Sequence, residues 1–253
     1  MAQDRDSGTG SAARAAFLAV GLVGLYYVIQ IPSVWLGGLN PFGAPPSYVE
    51  NGAWLYMTVH HLVQMVLALC VIAIVAKGRL GDWGLNLRDW RRSLRITREF
   101  ATIFAVIMAI SVALQFLSHA TPRPAPPLTV GHVVGTLFFM AVISGVSEEI
   151  LFRGMMQTWL SRWAKGDVGL FGWRVSRAGF VTAVIFALVH INFTLTPFEV
   201  THLYWPQVGI AFVLGLLYSW AYDRTGSLLA PILMHNLANW MMASVTLAVA
   251  AWR

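Results

Sequence analysis

Residues 131–160 read GHVVGTLFFMAVISGVSEEILFRGMMQTWL. The stretch is long and apolar enough to cross a bilayer as a helix, yet Glu148, Glu149 and Arg153 lie near its middle. Insertion scales assign about 2.5–3.5 kcal/mol to a charged residue at the centre of a span. Ionisable groups at such depth normally face a protein interior or a watery cavity and serve a function. The stretch therefore predicts a membrane span that carries a functional site.

The composition is typical of a polytopic helical membrane protein. Of the 253 residues, 57% are hydrophobic and 11% are charged, and the mean hydropathy is +0.65. A soluble domain of this size needs far more polar surface, and the apolar runs lack the period-2 alternation of a membrane β-barrel. The formal net charge of +6 does not indicate nucleic-acid binding, because the basic residues fall mostly at the edges of the apolar runs.

Seven membrane spans are predicted from the apolar runs. They cover residues 15–36, 54–76, 99–118, 131–150, 178–193, 206–222 and 228–251. We expect residues 1–14 to be a disordered cytoplasmic leader and residues 15–252 to form one membrane-embedded domain with its motif-bearing core over 131–250. Segment 82–98 combines tryptophan and leucine with arginine, which predicts an interfacial amphipathic helix. The predicted fold class is therefore all-α, a polytopic bundle of about seven transmembrane helices with this interfacial helix.

Loop charges predict the orientation of the bundle. Lysine and arginine cluster between spans two and three and follow spans four and six, whereas the opposite loops carry only Arg123. The positive-inside rule then places the N-terminus in the cytoplasm and the C-terminus outside. The expected location is the cell membrane, with several passes.

The two glutamates of the fourth span are predicted to behave differently. Glu149 and Arg153 are four residues apart and can pair on one helix face. Glu148 is rotated by about 100° from Glu149, so it lacks a partner in its own helix and remains available for proton exchange. The alternative is that the cluster is a buried ion-pair network that only orients the span.

Two other spans carry polar groups at a matching depth. His190 follows Phe186 by four residues late in span five, and His235 precedes Asn239 by four residues in span seven. At a rise of about 1.5 Å per residue, the two histidines and Glu148 lie about 14–21 Å from the cytoplasmic ends of their helices. They fall within one central layer of a hydrocarbon core about 30 Å thick, which predicts one shared site.

Other residues inside the spans receive a structural interpretation. His60 and His61 in span two have no comparable support and are interpreted as interfacial or packing residues. Gly145 and Gly215 are expected to permit close packing between helices.

The site residues resemble the three motifs of a known family, the CPBP intramembrane proteases. Glu148-Glu149-x-x-x-Arg153, Phe186-x-x-x-His190 and His235-x-x-x-Asn239 look like these motifs and occur in the same order. The family groups type II CAAX prenyl endopeptidases with bacteriocin-processing and self-immunity (Abi) proteins. The resemblance covers roughly residues 140–240.

The resemblance implies glutamate-dependent peptide hydrolysis inside the bilayer. Glu148 and His190 would activate a water molecule, while His235 and Asn239 would stabilise the oxyanion. The supporting residues would be Glu149, Arg153 and Phe186. Water must reach the site, so a polar cavity open to the cytoplasm is expected. The expected partners are the bilayer and a membrane peptide or protein, with or without a lipid anchor, and not nucleic acid.

Three alternatives stay open at this point. A zinc-dependent protease is one, because Glu148, His190 and His235 with a water molecule form a plausible zinc shell. The lack of a His-Glu-x-x-His motif and the separation of the histidines favour catalysis without a metal cofactor. A non-catalytic immunity or scaffold protein of the same fold is another. The third, a proton-coupled transporter, is disfavoured because no repeated halves are visible.

Overall fold

Seven helices follow the predicted apolar runs in the computed structural model, which describes residues 3–39, 54–117, 126–170, 172–195 and 198–252. They are α1 (Gln3–Gly38), α2 (Trp54–Ala76), α3 (Trp90–Leu117), α4 (Val130–Leu160), α5 (Arg177–Leu188), α6 (Trp205–Thr225) and α7 (Leu229–Trp252). Two antiparallel hairpins flank α5 and pair β1 (Asp167–Leu170) with β2 (Trp173–Ser176), and β3 (Asn192–Leu195) with β4 (Phe198–His202). The predicted all-α polytopic class is confirmed.

Five of these helices are long and apolar enough to cross a membrane, namely α1, α2, α3, α4 and α7. α5 is different, because its 12 residues extend about 18 Å. That length does not cross a hydrocarbon core of about 30 Å. The predicted fifth span over 178–193 is therefore a short helix that ends at Leu188, after which the chain turns into β3.

The central helix α4 is irregular on both sides of the glutamate pair. It is π-helical over Phe139–Ile143 and again over Ile150–Gln157, with an α-helical segment, Ser144–Glu149, between them. π-helical turns are rare overall, and those that occur are frequently found at functional sites. α4 also packs against α2, α5, α6 and α7, so Glu148 and Glu149 lie where several helices meet.

Glycines allow these helices to approach each other closely. A Cβ atom added at Gly145 of α4 would lie 2.5 Å from Asn236 Oδ1 of α7. One added at Gly215 of α6 would lie 3.1 Å from Phe186 Cδ1 of α5. Both glycines permit close packing, as the sequence predicts.

The arginine-rich segment 82–98 does not form a separate interfacial helix. A 3₁₀ turn, Leu80–Trp83, buries Trp83, whose ring packs against Trp159 and lies 4.7 Å from the Arg162 guanidinium. The arginines at the end of the segment belong to α3, which begins at Trp90 and continues through the third span. The prediction failed because Trp83 is held by contacts within the protein, and the residues between it and α3, 84–89, are not helical.

The first helix begins earlier than predicted. α1 starts at Gln3, so residues 3–14, expected to be a disordered leader, are helical in the structure. A nucleated helix extends at little cost, and its only proline is Pro32. Residues 1–2 lie outside the described residues, and a single domain over 15–252 stays a prediction.

Candidate active site

A cavity of about 570 Å³ lies beside Glu148. Side chains from α1, α2, α4, the end of α5 and the start of α6 line it: Tyr26, Tyr27, Gln30, Val34, Tyr56, Met57, His60, His61, Gln64, Glu148, Phe152, Val189, His190, Ile191, Asn192 and Gln207. Glu148 and His190, which were predicted to share a depth, therefore face the same space.

Two imidazoles flank the Glu148 carboxylate. His61 Nε2 of α2 lies 3.1 Å from Glu148 Oε1, and His235 Nε2 of α7 lies 3.7 Å from Glu148 Oε2. The Glu148 side chain is 20% exposed, whereas the His61 and His235 side chains are 4% and 5% exposed. Helices α2, α4 and α7 thus bring one carboxylate and two imidazoles together, with His190 across the cavity.

His61 is the site residue that sequence reasoning missed. Its interpretation as a packing or interfacial residue is wrong, since its ring is buried and contacts Glu148. Ser147 connects the two helices further, because its hydroxyl donates to His61 O at 2.7 Å and accepts from Gln64 Nε2 at 2.8 Å. The available signal was the spacing of His60, His61 and Gln64, three polar side chains within two turns of an apolar helix.

The polar network continues from α2 to α1. Gln30 Nε2 donates to Gln64 Oε1 at 2.7 Å, and His60 Nε2 donates to Gln30 Oε1. Buried polar networks of this kind fix the positions of their members when every group finds a partner. The network therefore links α1 to the helix that holds Glu148.

Hydrogen bonds assign the same tautomer to the three histidines around the site. The Nδ1 atom of His61 lies 2.8 Å from Met57 O, that of His190 lies 2.7 Å from Phe186 O, and that of His235 lies 2.7 Å from Glu149 Oε1. Carbonyl and carboxylate oxygens only accept, so each Nδ1 carries a proton and each Nε2 is the nitrogen free for chemistry. The contact between His61 Nε2 and Glu148 Oε1 then requires one further proton, shared between the imidazole and the carboxyl.

Glu149 connects Arg153 with His235 through one carboxylate oxygen. Its Oε1 accepts from Arg153 Nη1 at 2.9 Å, and both side chains are fully buried. Arg153 Nη2 donates to Gly215 O at 2.9 Å, and its guanidinium lies 4.8 Å from the ring centroid of Phe186. The ion pair expected from the spacing of Glu149 and Arg153 is present, and it also orients His235.

Phe186 packs within the same cluster. Its ring centroid lies 5.0 Å from that of His190 and 5.8 Å from that of His235, with nearly perpendicular rings in the second pair. Edge-to-face contacts fix ring orientation. Phe186 therefore contacts both imidazoles and helps to orient their rings, as expected of a supporting residue.

The structure does not bring Asn239 into this cavity. Its Nδ2 donates to Ser144 Oγ at 3.0 Å, and the side chain lines a separate cavity of about 290 Å³ between α4 and α7. Asn236 also faces α4, and its Oδ1 accepts from Gly145 N at 2.8 Å. The regular geometry of α7 carries Asn239 one turn past His235, to the level of Ser144, and its expected role at the oxyanion stays a prediction.

Within the described residues, no group of three or more His, Cys, Asp and Glu side chains is placed so as to hold a metal ion. The geometry therefore adds no support for a zinc shell of Glu148, His190 and His235. The shared Nδ1 anchoring is nevertheless also typical of metal-binding histidines.

The cavity lies at one end of the bundle. Its walls include the last part of α1, the first turns of α2 and the beginning of β3. Apart from Arg153, the lysines and arginines of the described residues lie at the opposite end of the bundle or in the first half of α1, which begins at that end. The cavity thus borders the end of the bundle opposite to the basic residues, and the expected opening towards the cytoplasm is not confirmed.

A protein-family comparison matches the part of the chain that carries the three motifs. Residues 129–241 match the family described as type II CAAX prenyl endopeptidase Rce1-like. The matched segment, which we call the Rce1-like domain, is similar to this family over somewhat less than half of the chain. The domain contains all three motifs, whereas His61 and the α1 wall of the cavity precede it. At the level of the family it is a peptidase domain, here in a multi-pass membrane protein.

The chain is also similar to an uncharacterized 24.3 kDa protein of Escherichia coli. The two are 23% identical over 200 residues, which cover 73% of this chain and 78% of that protein. No solved structure matches the chain.

Proposed function

We propose that this protein is an intramembrane endopeptidase in which Glu148 activates a water molecule to hydrolyse a peptide bond. One observation supports this most directly: the Glu148 carboxylate lies between two imidazole Nε2 atoms, at 3.1 and 3.7 Å, and faces the cavity that holds His190. A positioned carboxyl or imidazole that takes up a proton in the transition state accelerates hydrolysis by about 10²–10⁴-fold.

The proposed reaction moves one proton through the site. Water held between Glu148 and His190 gives a proton to this pair, and its oxygen bonds to the scissile carbonyl carbon. The carbon–nitrogen bond then breaks, and the same proton passes to the leaving amine. His61 holds the Glu148 carboxylate in place, because its own orientation is fixed by the bond from Nδ1 to Met57 O.

We assign His235 to the oxyanion. Glu149 accepts from its Nδ1, so a protonated His235 carries a proton on Nε2, which lies 3.7 Å from Glu148 Oε2. Donors aimed at developing negative charge contribute about 10²–10³-fold to kcat. Asn239 is instead assigned to the junction of α4 and α7, where it donates to Ser144.

The proposed substrate is a membrane peptide or protein, with or without a lipid anchor, and the bilayer is the other partner. Catalysis without a metal cofactor is part of the proposal.

The experiment that tests this function compares membrane proteomes. Cells with wild-type protein are compared with cells that carry Glu148→Gln, which keeps the size of the side chain and removes the carboxylate. Glu99→Gln, the same change at an exposed position of α3, is the matched control. We expect uncut precursors to accumulate with Glu148→Gln and not with Glu99→Gln.

The same comparison separates an enzyme from a scaffold. A non-catalytic immunity or scaffold protein would leave the proteome unchanged in both Glu148→Gln and His190→Ala, provided that both variants reach the membrane in wild-type amounts. That result would contradict the proposed hydrolysis.

A further inference from the structure

Helix positions place the reactive groups at intermediate depth, so the direction of entry follows from the cavity and its walls. In α2, His61 is about 10 Å from the first residue, Trp54, and about 22 Å from the last, Ala76, at 1.5 Å per residue. The residues that follow Ala76 include Lys77 and Arg79. His61 is therefore closer to the end of α2 that is remote from the basic residues. Glu148 is about 18 Å from Leu160 at the basic end of α4 and His235 is about 9 Å from Leu229 at the basic end of α7, so His61 shows the side on which the cavity lies and not the depth of the whole site.

α5 shows the same polarity. It begins at Arg177 at the basic end, and His190 lies just beyond its last residue, Leu188, where β3 follows. At membrane depth, non-helical backbone is tolerated only where protein buries it or where it lines a water-filled space. The start of β3 lines the cavity through Asn192, so water is expected on this side of the site.

Exposure differs between the two directions away from Glu148. On the cavity side, Val34 is 49% and Met57 is 36% exposed. Towards the basic end, all eight residues of the π-helical segment Ile150–Gln157 are buried. Packed protein thus closes the route from Glu148 to the basic end, whereas partly exposed side chains border the route to the opposite end.

We propose that the site is entered from the non-cytoplasmic side of the membrane. The positive-inside rule makes the basic end of the bundle cytoplasmic, which places the cavity in the outer half of the bilayer. The inference rests on the proposed function, since it concerns the same site. It specifies the substrate as a membrane-tethered polypeptide whose scissile bond lies at the non-cytoplasmic end of its apolar segment, and not in a cytoplasmic tail.

The cavity wall further limits what this segment carries. Among the described residues that line the cavity, those other than Glu148 and the histidines have tyrosine, amide and apolar side chains. A lysine, arginine, aspartate or glutamate next to the scissile bond finds no opposite charge there other than the reacting groups. The substrate segment is therefore expected to be uncharged.

Cysteine labelling tests the direction of access. In a Cys70→Ser background, Val34→Cys places a thiol in the α1 wall of the cavity, and Ser161→Cys places one at the exposed basic end of α4. Asn192→Cys repeats the measurement from the opposite wall, in case one variant fails to fold. A membrane-impermeant maleimide is added to right-side-out spheroplasts or to inverted vesicles of a bacterial host.

We expect Val34→Cys and Asn192→Cys to react in spheroplasts and Ser161→Cys to react only in inverted vesicles. Access from the non-cytoplasmic side is refuted if the two cavity cysteines react only in inverted vesicles or from neither side. This result would leave the proposed hydrolysis intact, because loss of cleavage in Glu148→Gln is measured separately. Conversely, unchanged cleavage in Glu148→Gln would refute the enzyme without altering the labelling pattern.

Discussion

The imidazole of His61 gives the Glu148 carboxylate a fixed position. His61 Nε2 lies 3.1 Å from Glu148 Oε1, and Ser147 Oγ donates a hydrogen bond to the backbone oxygen of His61. The ring therefore connects α2, outside the Rce1-like domain, to the proposed base inside it.

Removing this ring should slow the reaction more than it weakens substrate binding. Displacing a reacting group by about 1 Å costs roughly 10²-fold in rate, so we expect His61→Ala to lower kcat by about this factor with little change in KM. His61→Gln, which keeps a hydrogen-bond donor, should recover part of the rate. His132→Gln, a histidine outside this cavity, serves as the control, and wild-type kcat in His61→Ala would refute the positioning role.

The buried ion pair beneath the site should be essential for stability. Arg153→Met leaves Glu149 charged and buried, and breaking a buried pair in this way costs about 3–5 kcal/mol. The double variant Glu149→Gln with Arg153→Met removes both charges and should lose less free energy of unfolding than Arg153→Met alone. Denaturation in detergent measures these values.

An exposed pair offers the matched control for Arg153→Met. Arg92 lies 3.7 Å from Asp89, and the two side chains are 45% and 49% exposed. Exposed pairs contribute about 0–1 kcal/mol, so Arg92→Met should change stability little. Equal losses in Arg92→Met and Arg153→Met would contradict the structural role of the buried pair.

The contact between α4 and α7 depends on Gly145. An added Cβ atom would lie 2.5 Å from Asn236 Oδ1 and 3.0 Å from His235 Cβ, so Gly145→Ala must push α7 away. Overpacking of this kind costs about 1–3 kcal/mol, and cleavage should fall as well because His235 moves. At Gly21 in α1, nothing lies within 4 Å of an added Cβ atom, so Gly21→Ala should retain full stability. Wild-type stability and cleavage in Gly145→Ala would contradict this packing.

The helices were predictable, whereas the irregular segments between them were not. Apolar runs of about 20 residues identify spans without knowledge of their neighbours, which is why α2 matches its predicted range of 54–76. The π-helical turns of α4 and the early end of α5 follow from packing against other helices, which no local pattern reveals. The prediction of an interfacial helix over segment 82–98 was wrong for the same reason, because Trp83 finds its buried position only in the folded protein.

The candidate site was predictable where residues share a helix and less so where they do not. The Glu149–Arg153 pair follows from a spacing of four residues, and common depth brought Glu148, His190 and His235 together. Depth alone does not determine which helices are neighbours. For that reason His61 was missed, although α2 adjoins α4, and the position of Asn239 in a second cavity, beside Ser144, was not foreseen.

The chain as a whole is expected to work without a bound metal. Activity of the purified protein should be unchanged by a zinc chelator, and elemental analysis should find far less than one zinc per chain. If zinc is present in stoichiometric amount and its removal abolishes cleavage, the anchored histidines are metal ligands and the proposed roles of Glu148 and His190 must be revised.

The most direct test is the cleavage rate of purified, reconstituted wild-type protein and Glu148→Gln on a precursor identified from the proteomic comparison. With equal folding of the two proteins, the proposed mechanism predicts a rate at least about 10²-fold lower for Glu148→Gln. Cleavage by Glu148→Gln at the wild-type rate would contradict it.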